Sequence, residues 1–425
     1  MNSEAMNQSS TASRTLAAYR ALPALSGRPY LPVAFLARVP FSMTTLGVMV
    51  LVTATTGSVA AGGLATAGAS LGTAAFASVQ GNLADRLGQR PVLVVASLLN
   101  AVAAVAVVLA ATGGAPRAVL AACCFLLGAS APQVGALARV RWIALGGADQ
   151  PRTAEAAMSY ESTVDEITFV LGPALVGVIA TAGSPAAALL VAAGLVAVFG
   201  LAFALHPTAD APARRPRAGR SSGARRPGAL HVLRRVALPV VGMACIGVFF
   251  GGTQASVTAV AEAAGRPGVA GLMYAVLGVG SAMTALALVA LPASVGSRTR
   301  WLTGGTGLAL TMSLALLTSG TGQVVAVLAV AGLFVGPTLV TLFSVGGNLV
   351  PVTEAGTAMT MLVSANVVGV AAGAAVAGVA SEHLGTPTVF VVPIAAAVLV
   401  ALAGLLSPRE RPGATSRTDL VDAAV

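Results

Sequence analysis

Long, almost uninterrupted runs of Ala, Val, Leu and Gly recur along this 425-residue chain, and each is long enough to cross the roughly 30 Å apolar core of a bilayer as a helix. Their spacing predicts twelve spans, over residues 31–53, 57–79, 91–112, 117–140, 158–181, 184–205, 237–260, 269–291, 301–320, 323–345, 357–380 and 386–406. Only 9% of the residues are charged, against about 25% in soluble domains, so the expected fold is an all-α polytopic membrane protein.

The formal charge of +10 contains no Lys, and its Arg residues gather in short connections beside the apolar runs. That pattern orients a membrane protein and speaks against a nucleic-acid partner. With a cytoplasmic N-terminus, one side receives Arg86, Arg90, Arg139, Arg141 and Arg152. The same side receives Arg214, Arg215, Arg217, Arg220, Arg225, Arg226, Arg234, Arg235, Arg298 and Arg300, while the opposite loops hold only Arg117 and Arg266. Both termini are therefore expected in the cytoplasm, which requires an even number of spans. Residues 1–30 read as a cytoplasmic tail without the apolar core of a cleaved signal, and 407–425 as a second tail. Between them, 31–205 and 237–406 read as two six-helix bundles, joined by a linker over 206–236 rich in Pro, Arg, Gly and Ser. The linker's charge also suits contact with anionic membrane lipid.

The two bundles share a pattern. Met158, Asp165, Gly172 and Gly177 of the fifth span recur at a constant offset of 201 as Met359, Asn366, Gly373 and Gly378 of the eleventh. Like-oriented halves place a transport path at their interface.

The stretch Gly81-Asn-Leu-Ala-Asp85-Arg86-Leu-Gly88-Gln-Arg90 reads as a short charged turn between the second and third spans. It resembles the signature loop of the major facilitator superfamily of secondary transporters. The resemblance implies that fold, and it implies a gating latch in which Asp85 engages Arg139 or Arg141 and the helix start near Thr353 to Gly356. A plain helix cap at Asp85, with Arg86 and Arg90 setting topology, is the other reading. Both hold together. The matching loop of the second half, Leu291 to Trp301, keeps Gly296, Arg298 and Arg300 but has no acid. The fifth span's Gly172-Pro173-Ala-Leu-Val-Gly177 is similar to a motif of proton-driven antiporters, with Thr168 and Val176 at two of its glycine positions; close helix packing is its plainer reading. Relatives of that kind carry Arg and Gln on the fourth helix. Here Arg139 and Arg141 fall towards its cytoplasmic end, Gln133 stands one to two turns away as a cavity candidate, and Trp142 is placed as an interfacial anchor.

Charges inside the apolar runs narrow the site. Arg38 and Asp165 each lie about seven residues into helices that run the same way, which puts them at similar depth, roughly 10 Å in. An isolated charge there is costly, so an Arg–carboxylate pair is expected. Glu161 and Asp165, four residues apart, share a helix face with Thr168 and Gly172, while Glu166 points about 100 degrees away. Proton binding at Asp165, Glu161 or Glu166, and structural pairing within a cytoplasmic gate, both fit this arrangement. In the second half Thr253, Gln254, Thr258, Asn348 and Asn366 are the prominent polar groups, and Tyr160, Tyr274, Phe249 and Phe250 are candidates for an aromatic wall or for a lipid-facing surface.

No enzyme site emerges. His206, His231 and His383 are scattered, and Cys123, Cys124 and Cys245 lack metal-ligand spacing, so no cofactor or metal is expected. No phosphate-binding Gly-Lys-Ser/Thr loop is present, which points to an ion gradient as the energy source. The resemblance to twelve-helix bacterial exporters implies proton-coupled efflux of a small organic molecule, a drug or metabolite, by a monomer in a bacterial cytoplasmic membrane. The Ala, Gly, Arg and Val bias looks like high-GC coding of an actinobacterial kind. Uptake by symport, facilitated passage, or a receptor that transports nothing are the alternatives.

Overall fold

Proline and glycine decide where these apolar helices break and how closely they approach. A computed structural model of the chain describes residues 19–146, 151–211, 229–287, 296–384 and 388–407. The tails beyond these limits and the linker arginines Arg214 to Arg226 lie outside the described residues. A short helical stretch at 19–26 precedes α1, Tyr30–Thr56. There follow α2 (Val59–Leu87), α3 (Gln89–Thr112), α4 (Arg117–Leu145), α5 (Pro151–Ala182) and α6 (Pro185–Leu205). After the undescribed linker come α7 (Ala229–Ala263), α8 (Val269–Ala287), α9 (Ser297–Ser313), α10 (Thr321–Asn348), α11 (Val352–Leu384) and α12 (Val391–Leu406).

Among the described residues ten of these helices are long and apolar enough to cross a membrane. The other two, α8 and α9, stand where the eighth and ninth spans were expected; α8 qualifies only as a shorter apolar helix, and α9 opens with Arg298 and Arg300 in its first turn. Large apolar side chains such as Val102, Leu109, Leu126 and Leu310 face outward, a surface suited to lipid.

Three boundaries differ from the sequence reading. The stretch from Gly81 is no open turn: α2 continues through it to Leu87, and a single residue, Gly88 at φ +90°, separates it from α3. Glycine alone takes that backbone without strain. Helix α5 begins at Pro151, well before residue 158, because Pro suits a first helical position. Helix α7 begins at Ala229, inside the expected linker.

Two proline breaks matter for the site. Pro40 has no N–H to continue the ladder, so α1 divides into Tyr30–Leu36 and Val39–Thr56 with Arg38 at the joint. Pro132 likewise divides α4 into Arg117–Ala129 and Val134–Gly146. Carbonyls freed at the second break are satisfied by side chains: Gln80 donates to Ala129 O and Ala131 O at 3.0 Å each, Gln133 to Ala131 O at 2.9 Å, and Asn100 to Leu127 O at 2.7 Å.

Glycines bring helices into backbone contact. On the seam between α7 and α11, a Cβ on Gly247, Gly251 or Gly369 would fall 2.1 Å from a carbonyl oxygen of the facing helix. The helices before and after the linker meet along two further seams. A Cβ on Gly63 of α2 would lie 2.2 Å from Ala374 O of α11, where Gly378 also packs against Gly63. A Cβ on Gly271 of α8 would lie 2.4 Å from the nitrogen of Gly177 in α5. Gly177 and Gly378, the pair related by the sequence offset, thus hold equivalent places on the two seams. Ser58 adds a hydrogen bond across the α2–α11 seam to the Glu382 carboxylate. These contacts gather towards the end of the molecule that carries the Gly57 and Gly183 turns.

Gly251→Val forces α7 from α11 and is expected to destabilise towards the upper end of about 1–3 kcal/mol, read as a lower melting temperature in detergent. Gly81→Ala, with nothing within 4 Å of the new methyl, is expected to stabilise slightly through helix propensity.

Candidate functional site

Four charged side chains from α1, α4 and α5 meet in the first half of the chain. The break at Pro40 leaves Arg38 aimed at α5, where Glu161 and Asp165 stand one turn apart on the facing side. Arg38 Nη2 bonds Glu161 Oε2, and Arg38 Nε lies 3.7 Å from Asp165 Oδ1. The expected pairing of Arg38 with a carboxylate is present, with Glu161 as the nearer partner. Arg139, from the second piece of α4, closes the set by donating to Asp165 Oδ2 at 2.6 Å.

The two carboxylates have different surroundings. Glu161 is fully buried, and its other oxygen accepts a hydrogen bond from Trp142 Nε1 at 2.7 Å. Trp142 is therefore buried at 1% exposure and is no interfacial anchor; α4 turns it inward, where the indole N–H finds a carboxylate. Asp165 and Arg139 are each about one-third exposed, at 31% and 34%. Glu161 is thus a fixed counter-ion for the buried Arg38, and the Asp165–Arg139 pair is the part that water and ions reach. Glu166 is half-buried on the adjacent side of α5.

Arg141 belongs to a second cluster. It is completely buried, with its guanidinium carbon 3.7 Å above the Phe203 ring, and it donates to Gln89 Oε1, Phe203 O and Thr208 Oγ1. Tyr30 packs edge-on to Trp142 at 5.2 Å and to His206 at 5.4 Å, so this cluster ties the ends of α1, α3, α4 and α6 together. Arg90 pairs with Asp210 at 2.8 Å. Of the two partners expected for Asp85, Arg139 hydrogen-bonds Asp165 and Arg141 sits in the buried cluster with Gln89, Phe203 and Thr208. Asp85 and Arg86 lie exposed in the last turn of α2, and α11 starts at Val352 as expected, although the side chain of Thr353 lies outside the described set.

The remaining predicted residues serve packing more than a shared site. Gly172 lies against Ser42 of α1, and Pro173 and Gly177 build the α5–α8 seam. Tyr160 donates to Leu31 O at 3.2 Å, and Asn366 to Met243 O at 3.3 Å, clasping α11 to α7. Thr253 and Gln254 are buried in α7, and Tyr274 is buried in α8. Asn348 is the exposed last residue of α10, away from the helix interior, because α10 ends there. Gln80 and Asn100 had drawn no attention in the sequence, since their task exists only once α4 is known to break. No group of His, Cys, Asp and Glu suited to a metal occurs among the described residues.

Removing the fixed counter-ion is expected to cost far more than removing the exposed one. Glu161→Gln removes the hydrogen-bonded counter-ion of the buried Arg38 and leaves it only Asp165 Oδ1 at 3.7 Å, at a cost of about 3–5 kcal/mol, whereas Asp165→Asn costs within about 1 kcal/mol; chemical unfolding in detergent separates the two. A pH effect comes from His206, which lies outside the spans. Burial, and secondarily Arg141, hold its pKa below the ordinary value. The ring is thus neutral in the fold, and the unfolded chain takes up the proton first as pH falls through about 6.5. Melting temperature is expected to drop on acidification across that range, with a smaller drop in His206→Gln.

Comparison with known proteins bears on this arrangement. The family model of the Major Facilitator Superfamily matches residues 31–345 and 240–423. No curated protein matches the chain. Among solved structures, the nucleoside transporter NupG superposes with a TM-score of 0.68 at 16% identity, over 89% of this chain and 97% of that one. The human organic anion transporter MFSD10 (TETRAN) superposes at 0.58 and 19% identity, over 89% of this chain and 99% of that one. At such identities the likeness concerns the fold, while the family match spans most of the sequence. The chain belongs to the major facilitator superfamily and is a non-enzymatic, multi-pass membrane transporter.

Proposed function

We propose that this protein is a proton-coupled secondary transporter of a small organic molecule, working by alternating access between two six-helix halves, α1–α6 and α7–α12. In this reading all twelve helices cross a bacterial cytoplasmic membrane, both termini are cytoplasmic, residues 206 onward link the halves, and the protein acts as a monomer. The carrying observation is the charge cluster: one carboxylate locked with Arg38, and a second, Asp165, hydrogen-bonded to Arg139 with about a third of its surface exposed. A proton carrier needs a carboxylate that solvent reaches and whose partner can change, and Asp165 has both properties. The seams at the Gly57 end support an inward-open arrangement, in which Asp85, Arg86, Gly88 and Arg90 stand on the cytoplasmic side as gating residues.

Export rests on the likeness of Gly172–Gly177 to the antiporter motif. A second direction, uptake with a proton, is favoured by one observation: both carboxylates of the cluster face arginines, leaving neither free for a cation. NupG and MFSD10, named for nucleosides and for organic anions, suggest polar metabolites as first substrates to try.

Reconstituted in liposomes under an imposed pH gradient, the protein is expected to move protons only when a transported solute is present, and Asp165→Asn to reduce that flux at least about a hundredfold with folding intact. Solute-dependent proton flux that survives in Asp165→Asn removes Asp165 as the carrier. Solute flux without proton movement removes the coupling.

A further inference from the structure

The proton site carries information about the charge of its substrate. This inference rests on the reading of Asp165 as proton carrier and concerns what binds beside it. Three of the four carboxylate oxygens accept a hydrogen bond, both of Glu161 from Arg38 and Trp142 and Oδ2 of Asp165 from Arg139, while Asp165 Oδ1 only faces Arg38 Nε at 3.7 Å. The cations are less completely used. Arg38 is 95% buried, yet its Nε and Nη1 have no hydrogen-bond partner. A buried guanidinium with unpartnered donors is costly unless something periodically fills the place.

A glycine stands beside it. Gly135, one turn before Arg139 on α4, borders the cluster: a Cβ built there would lie 3.6 Å from Arg139 Nη1, from Arg38 Nε and from Asp165 Oδ1. Glycine leaves the space of one methyl group, bordered by both guanidinium groups and the exposed carboxylate at once.

Charge balance then fixes the sign of the ligand. Two arginines and two carboxylates sum to zero. Adding a monoanion leaves the site at −1 in a poorly solvated region, and one proton on a carboxylate restores neutrality. The groups facing Asp165 are Arg38 from α1, Arg139 from α4, and Glu161, Glu166 and Tyr160 on or beside its own turn. Helices α6 and α8, also packed on α5, carry no charged side chain among the described residues. In the described part of the second half, the charged residues Arg234, Arg235, Glu262, Arg266, Arg298, Arg300, Glu354 and Glu382 lie at or near helix ends, so nothing there would balance a second charge on the substrate.

We propose that the ionised group of an organic monoanion with an otherwise neutral body docks beside Gly135, in the place opened as Arg139 turns from Asp165, held by Arg139 and the unpartnered donors of Arg38, and that one proton from the same side of the membrane loads onto Asp165 with it. The Arg139–Asp165 hydrogen bond is exchanged for an Arg139–anion bond, an O–H bond forms on Asp165, and the loaded cluster is again neutral. Proton and anion cross together.

Three probes of one shape and different charge test this: benzoate, benzamide and benzamidine, titrated calorimetrically into the full-length protein in lipid nanodiscs, in two buffers of different ionisation enthalpy. Benzoate is expected to bind and take up about one proton per anion, with affinity falling about tenfold per pH unit in the alkaline range. Benzamide and benzamidine are expected to bind at least about tenfold more weakly. Asp165→Asn should bind benzoate without proton uptake and Arg139→Gln should lose it at least about tenfold, while Arg139→Lys retains part. Gly135→Leu, if it melts like the parent, should lose benzoate with the ion pairs intact. Tighter binding of benzamidine, with proton release, overturns the anion assignment but leaves proton-coupled transport standing. Benzoate binding without proton uptake, or no binding by any of the three, overturns the proposal. A pH-gradient flux indifferent to Asp165→Asn would instead sink the proton-carrier reading on which it rests.

Discussion

A guanidinium placed inside an apolar helix must be answered by a carboxylate, and the arrangement of this transporter's first half follows from how Arg38 is answered. Pro40 breaks α1 beside it, and α5 brings Glu161 within reach. Trp142 then takes the remaining Glu161 oxygen and draws the end of α4 inward, which in turn delivers Arg139 to Asp165. One pair is locked and the other is reached by water. In the proposed mechanism this division lets a single cluster hold the fold and change its charge during transport.

Backbone contact at glycine is the complementary constraint. Apolar helices in lipid gain little from burying Leu against Leu, so close approach and backbone satisfaction carry the association. The α7–α11 seam illustrates one use, with successive glycines facing carbonyls across a very short gap. The Gly63–Ala374 and Gly177–Gly271 contacts illustrate another, since they join the two sets of helices near one end. A contact made by glycine against backbone is tight when closed, and no side chain has to be repacked when it opens.

Much of this was legible in the chain. The apolar runs located the helices, the spacing of Glu161 and Asp165 placed them on one face, and the depth of Arg38 predicted its pairing. The offset repeat also anticipated equivalent places for Gly177 and Gly378. What escaped were consequences of helix breaks. Reading α4 as one continuous helix put Arg139 and Trp142 at the membrane surface, whereas the break at Pro132 re-aims the second piece, and its side chains turn inward to the carboxylates of α5. Gln80 and Asn100 escaped for the same reason, because nothing local says that a carbonyl elsewhere has been freed. Helix ends were misjudged where polar sequence continues the helix past the apolar limit, as in α2 beyond Gly81, or where a polar residue such as Asn348 closes a helix.

The central claim is that Asp165 is the carboxylate that exchanges its proton while Glu161 stays locked. Infrared difference spectroscopy of the purified protein, recorded as pH is lowered, reads protonated carboxyl groups directly. The account predicts that the protonated-carboxyl signal growing on acidification contains one component that is missing in Asp165→Asn, as the difference from the parent reads, and present in Glu166→Gln. A signal unchanged in Asp165→Asn, with a component lost in Glu166→Gln instead, would contradict it.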